Sequence, residues 1–180
     1  VAVVGAEGIT NEIARRAWWV MPSANNARRM LANKEIAKGE MGKILADFLI
    51  EFLPFEEDPR NIIESMRLVL QPGLIDTSVR NKLWKLGQRK NAFLVGFLKS
   101  DPQQIPQAAS ANPLLESWQQ ALEQQAEAES KLASFLLNVL SQPGQAWLTT
   151  AQQILKKPAN QDVVVATFEA FESYFMEIRP

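Results

Sequence analysis

Two groups of acidic side chains could do chemistry in this sequence. Glu169 and Glu172 are three residues apart, so on a helix both carboxylates would face one side and could share a divalent cation. Three further acids stand at 56–58, just before Pro59, a pattern typical of a charged helix start. A carboxylate-dependent metal enzyme is therefore an alternative, although the residues predict no specific catalytic or metal-binding side chain.

The absence of histidine and cysteine removes most other catalytic chemistry. The chain contains neither residue, which excludes disulfides, thiol nucleophiles, Ser-His-Asp triads and thiolate or imidazole metal sites. No cofactor is predicted, and an enzyme is the less favoured class. The absence of cysteine fits the cytoplasm, which is the predicted location. The longest apolar run, Ala92 to Leu98, is far shorter than a membrane span of about 20 residues.

A cluster of basic residues is the strongest binding feature. No acid lies between Asp76 and Asp101, whereas six bases do: Arg80, Lys82, Lys85, Arg89, Lys90 and Lys99. Such a cluster favours an acidic partner, either another protein or the acidic half of a second copy. Nucleic acid is a second possible partner, because clustered cations that bind its phosphates release counterions, which favours binding.

Segment 68–99 also has the outline of a helix-turn-helix. Pro72 and Gly73 would turn the chain, and Val79 and Leu83 would face inward from the second helix. That helix would present polar side chains able to contact base edges, namely Asn81, Gln88 and Asn91. A DNA-binding regulator is therefore the first alternative function, although the overall charge of −1 argues against it.

Tryptophans could add apolar anchors to a binding surface. Trp18 and Trp19 are adjacent, so on a helix they point about 100° apart and cannot both enter one core. Trp84 lies within the basic cluster. The sequence therefore predicts these partner-binding residues: Trp18, Trp19, Arg80, Lys82, Trp84, Lys85, Arg89 and Lys90.

The elements that must position these side chains are helices. Apolar residues recur at steps of three and four, and Pro, Gly and Asp divide the segments, which predicts an all-α bundle of about seven helices. Gly87 marks a place where the predicted helix over residues 77–99 could break. The predicted helical segments are 10–21, 25–38, 40–53, 59–70, 77–99, 113–140, 145–157 and 161–178. The long segment 113–140 could form a coiled coil, but a bundle helix with an exposed middle is favoured.

The opening residues Val1 to Gly8 resemble the strand and turn of a dinucleotide-binding site, but the pattern is incomplete. Glu7 and Thr10 stand where glycines are required, and no parallel strands follow, so a terminal arm packed on the bundle is predicted.

Charge divides the chain into two halves. Residues 1–100 carry 15 basic and 11 acidic side chains, a net of +4, and residues 101–180 carry 4 and 9, a net of −5. The segment 101–112 is rich in Pro, Ser and Gln and predicts a linker between halves 1–100 and 113–180, with a single domain as the alternative. The predicted function is a non-catalytic protein-interaction module of the adaptor, chaperone-like or regulatory kind. A helical protein that binds an apolar ligand is a further alternative.

Overall fold

The computed structural model describes residues 10–176, which form eleven α-helices and no strand. The prediction of an all-α fold is confirmed. The bounds are α1 Asn11–Val20, α2 Ala24–Leu31, α3 Lys34–Lys38, α4 Glu40–Phe52, α5 Pro59–Val69, α6 Thr77–Gly87, α7 Asn91–Leu98, α8 Leu114–Glu127, α9 Lys131–Leu140, α10 Gln142–Lys156 and α11 Gln161–Phe175. Short 3₁₀ turns cover Leu53–Phe55 and Pro102–Gln104. The residues predicted as a terminal arm, Val1 to Gly8, and the predicted helix end at Ile178 lie outside the described residues.

The helices outnumber the eight predicted segments because three of those segments, 25–38, 77–99 and 113–140, each divide into two helices. Segment 25–38 ends its first part at Leu31, and the side chain of Asn33 then accepts a hydrogen bond from Glu35 N at 2.9 Å to start α3. The prediction of one helix over 113–140 is also wrong. Glu129 adopts a left-handed backbone with φ 62° and joins α8 to α9 as a hairpin, whose ends meet where Asn112 N donates to Leu140 O.

The predicted helix over 77–99 breaks after Gly87. The amides of Arg89 and Lys90 both donate back to Leu86 O, and α7 starts at Asn91. A side-chain carbon added at Gly87 would lie 2.6 Å from Leu94 Cδ2, so glycine lets α7 fold back closely against the end of α6.

The chain divides into two compact units, 1–96 and 97–180. In the first, α4 packs against α1, α2, α3 and α5. Its fully buried side chains include Met30, Leu31, Ile36, Leu45, Leu49, Ile62 and Met66. The segment predicted as a linker, 101–112, lies within the second unit, and its role as a boundary between independent domains stays a prediction.

In the second unit, α10 packs against α9 and α11, and Trp147 is its largest fully buried side chain. Trp147 Nε1 donates to Leu98 O at 3.1 Å. By contrast, α8 contains no buried residue, and Trp118 of α8 and Leu132 of α9 are exposed. Among the described residues, no helix has the length and apolar character needed to cross a membrane.

Candidate docking groove

An apolar groove of about 460 Å³ lies on the first unit. Its walls come from the end of α4 and the following turn, from α6, and from the start of α7. The apolar lining residues are Ile50, Leu53, Pro54, Val79, Leu83, Leu86 and Phe93. This volume is within the range of pockets that hold small ligands or the anchor side chains of a peptide.

The α6 wall follows directly from its sequence. Asp76 Oδ1 accepts a hydrogen bond from Val79 N at 2.8 Å, which caps the helix and sets where its turns begin. Val79, Leu83 and Leu86 then recur at steps of four and three and fall on one side. Leu83 is buried, but Leu86 remains 48% exposed, so the wall has an apolar side chain without a complete packing partner.

The opposite wall is formed where α4 ends. Ile50 and Leu53 are three residues apart and face the same side of the helix. Pro54 in the turn Leu53–Phe55 stops the helix there, because proline lacks an amide donor and restricts the residue before it.

Three cations complete the lining of the groove: Lys82, Arg89 and Lys90. Lys90 Nζ donates to the backbone carbonyl of Glu56 at 3.0 Å, which fixes its position. Lys82 and Arg89 are exposed, and neither forms an ion pair with any side chain in residues 10–176. The break after Gly87 matters here, because Arg89 lies in the turn between the two helices that line the groove.

The structure therefore brings together three of the predicted binding residues and separates the others. Lys85 is exposed but does not line the groove. Arg80 is half-buried, and its Nη2 donates to Leu70 O at 3.4 Å, so it points toward the end of α5. Trp84 is also half-buried. A single basic face from Arg80 to Lys90 does not form, because the helical turn places Arg80 on another side from Lys82.

The Trp18 and Trp19 pair borders a different hollow of about 360 Å³, together with Arg15, Pro22, Met41 and Ile44. Trp18 packs edge-on against Phe48, with ring centroids 4.8 Å apart. Trp19 is 83% exposed. The two side chains do diverge as their adjacent positions predict, and neither belongs to the docking groove.

The sequence predicted none of the apolar lining residues as binding residues; Val79 and Leu83 were expected only to face inward from their helix. Pro54 was visible only as a helix stop, and Ile50 lies off the main apolar stripe of α4. The signal that could have found Ile50 is its position three residues before Leu53, at a helix end that proline forces into a turn.

The helix-turn-helix outline corresponds to α5, a turn and α6. Gly73 in that turn has φ 82°, a conformation that glycine adopts without strain. The outer side of α6 exposes Thr77, Ser78, Asn81, Lys82 and Lys85. In the next turn Gln88 is exposed, and Asn91 is half-buried at the start of α7.

No group of three or more acidic side chains lies close enough to hold a metal ion in the part of the chain that the structure describes. Glu169 forms an ion pair with Lys99, with Nζ and Oε2 2.6 Å apart, and the carboxylate of Glu56 forms an ion pair with Arg28. One acid from each predicted group therefore forms a structural ion pair.

Comparison of the chain with known protein families, with curated proteins and with solved structures finds no match.

Proposed function

We propose that this chain is a non-catalytic protein-interaction module whose first unit binds an acidic amphipathic helix in the docking groove. The observation that supports it is the half-exposed Leu86 beside Lys82 and Arg89, two cations that form no ion pair within residues 10–176. The apolar lining of the groove, with the cations Lys82, Arg89 and Lys90 at its rim, complements a helix that has apolar anchors on one face and acids beside them.

A helix fits this groove because the groove is walled by helices and is lined along α6 by residues at helical steps. Anchors spaced at i, i+3 or i+4, and i+7 would pack between Leu86 and the α4 end. Complete burial of a Leu side chain contributes roughly 1.5–3 kcal/mol, so covering the exposed half of Leu86 would add about 1 kcal/mol. The cations would then orient the ligand and increase its association rate.

Fluorescence anisotropy with a designed, labelled peptide tests this proposal. The peptide carries Leu at the anchor positions and Glu on the flanks, and a partner peptide has Lys in place of each Glu. We expect the acidic peptide alone to bind the full chain, with affinity that falls as salt rises. Leu86→Asp should weaken binding at least about tenfold, which corresponds to 1.4 kcal/mol.

Leu132→Asp is the matched control for that substitution, since Leu132 is similarly exposed but lies on α9 of the second unit. It should leave binding unchanged. Absence of binding by the acidic peptide, or an equal loss in both variants, would refute the proposal.

A DNA-binding regulator is the second candidate, favoured by the exposed polar side of α6. Lys85 separates the two functions, because it is exposed on that side but does not line the groove. If α6 reads DNA, Lys85→Glu should weaken duplex binding at low salt and Leu86→Asp should matter less. If the groove binds a helix, Lys85→Glu should have little effect on peptide binding. No gel shift at low salt would remove this candidate.

The groove also provides a way to test the apolar-ligand alternative. An apolar small molecule that fills the groove should displace the labelled peptide from the native chain. It should also bind directly to the Lys82→Glu/Arg89→Glu variant, which should no longer bind the acidic peptide. The remaining alternative, a carboxylate-dependent metal enzyme, gains no support from the acids of residues 10–176.

A further inference from the structure

The outer face of α11 is an apolar stripe that its own unit leaves uncovered. Val165 is 49% and Phe168 is 59% exposed, and Met176 just after the helix is also exposed. These positions differ by three and eight, close to one and two helical turns, so they lie along one side. A stripe of this kind on a helix marks an interaction surface more often than an isolated exposed side chain does.

Acids share that face with the apolar side chains. Helix α11 contains three acids and no base, and Glu172 stands four residues after Phe168. Glu169, four residues after Val165, lies on the same side and is paired with Lys99. Helix α8 also has three acids and no base, but its exposed Leu114 and Trp118 lie about half a turn from Glu116 and Glu123. Only α11 thus combines exposed apolar anchors and acids on adjacent parts of one surface among these two helices.

We infer that the outer face of α11 from a second copy of this chain occupies the docking groove. This inference rests on the proposed function and names the partner. The net of +4 on residues 1–100 and −5 on residues 101–180 supports attraction between the basic part of one copy and the acidic part of another. Each copy offers one groove and one helix face, so the contact is heterologous and joins copies head to tail.

The inner face of α11 keeps the helix ready for docking. Val163, Ala166, Thr167 and Ala170 are buried in the second unit, and Thr167 Oγ1 donates to Val163 O at 2.7 Å. A helix that is already folded loses little conformational entropy when it binds, which increases affinity for a given contact area. Phe168 itself packs near Phe171, with ring centroids 6.4 Å apart, while most of its surface stays exposed.

Sedimentation velocity of the full chain over a wide concentration range tests the inference. We expect the wild-type sedimentation coefficient to rise with concentration and to fall back as salt is added. Phe168→Ser should shift the midpoint of association at least about tenfold higher in concentration. The matched control is Trp118→Ser, which removes a similarly exposed aromatic side chain from α8 and should leave association unchanged.

A charge exchange then identifies the contact. Arg89→Glu should repel the native Glu172, and Glu172→Lys should repel the native Arg89, so each variant alone should stay monomeric. An equimolar mixture should associate again, because one contact is native and the other has both charges reversed. A monomeric wild type at every concentration, or a mixture that stays monomeric, would overturn the inference.

The outcomes separate this inference from the proposed function. If the wild type stays monomeric but the designed acidic peptide still binds the groove, the partner is another protein and only the second-copy inference fails. If the peptide also fails to bind, both fail.

Discussion

Lys90 Nζ donates a 3.0 Å hydrogen bond to the backbone carbonyl of Glu56, while the side chain of Glu56 accepts from Arg28 Nη1 at 3.3 Å. Glu56 thus links helix α2, through Arg28, to the turn before α7 that contains Arg89 and Lys90. The Arg28 and Glu56 side chains are only 11% and 14% exposed, so this link is part of the interior. We expect these two contacts of Glu56 to hold Lys90 in its place at the rim of the groove.

Glu56→Gln should destabilise the first unit by about 3 kcal/mol, because it leaves the Arg28 charge poorly compensated in a mostly buried site. Chemical denaturation of both proteins measures this difference in the free energy of unfolding. Glu12→Gln is a suitable control, since Glu12 forms surface pairs with Arg15 and Arg16. A loss below about 0.5 kcal/mol for Glu56→Gln would show that the link does not stabilise the fold.

Gly96→Ala should destabilise the chain by roughly 1–3 kcal/mol through overpacking. An added Cβ at Gly96 would collide with Met66 Cβ and lie 3.2 Å from Ile63 O on α5. Gly73→Asn is the comparison, because Gly73 has φ 82° but no atom within 4 Å of an added Cβ, and asparagine tolerates that conformation. Urea midpoints should fall for Gly96→Ala and change little for Gly73→Asn; the opposite order would contradict close packing of α7 on α5.

The pKa of Glu12 should lie below its ordinary value, because Arg16 donates a hydrogen bond to its carboxylate and Arg15 adds a nearby positive charge. NMR titration of the Glu12 carboxylate should show that Arg16→Gln raises this pKa more than Arg15→Gln does. Because the folded pKa is the lower one, any stability from these pairs is present above the unfolded pKa and is lost as pH falls through the folded pKa. Equal shifts in the two variants would contradict the stated order of causes.

Trp147→Phe should destabilise the second unit by about 2–4 kcal/mol. The change removes the hydrogen bond to Leu98 O and leaves space beside Tyr174, whose ring stacks on Trp147 at 4.2 Å. Trp118→Phe removes a largely exposed indole and should change the free energy of unfolding by less than about 0.5 kcal/mol. Thermal unfolding that shifts equally in both variants would be inconsistent with a buried Trp147.

The sequence predicted the helices well where an apolar stripe and a cap agreed. Asp58 and Pro59 start α5 as expected, and Asp76 caps α6. Helix ends within long segments were harder to predict. The break after Gly87 was predicted only as one of two possibilities. The left-handed turn at Glu129 could not be predicted, because such turns are normally indicated by glycine or asparagine and this position has neither.

The candidate site was only partly predictable for a related reason. Periodicity along α6 predicted that Val79 and Leu83 face inward, but it did not predict that Leu86 remains half-exposed beside them. Which walls meet across a groove depends on tertiary packing, and spacing within one helix does not report it. Arg80 shows the same limit, since a run of cations in sequence does not say which helix each cation faces.

NMR shift mapping follows, residue by residue, whether an acidic amphipathic helix binds in the docking groove. Isotope-labelled full chain is titrated with the designed acidic peptide while amide and methyl signals are followed. We predict that the largest shifts occur at Leu83, Leu86, Arg89 and Phe93, with Trp19 and Lys85 largely unaffected. Shifts concentrated at Trp19, or no saturable shifts at the groove residues, would show that the helix does not bind in the groove.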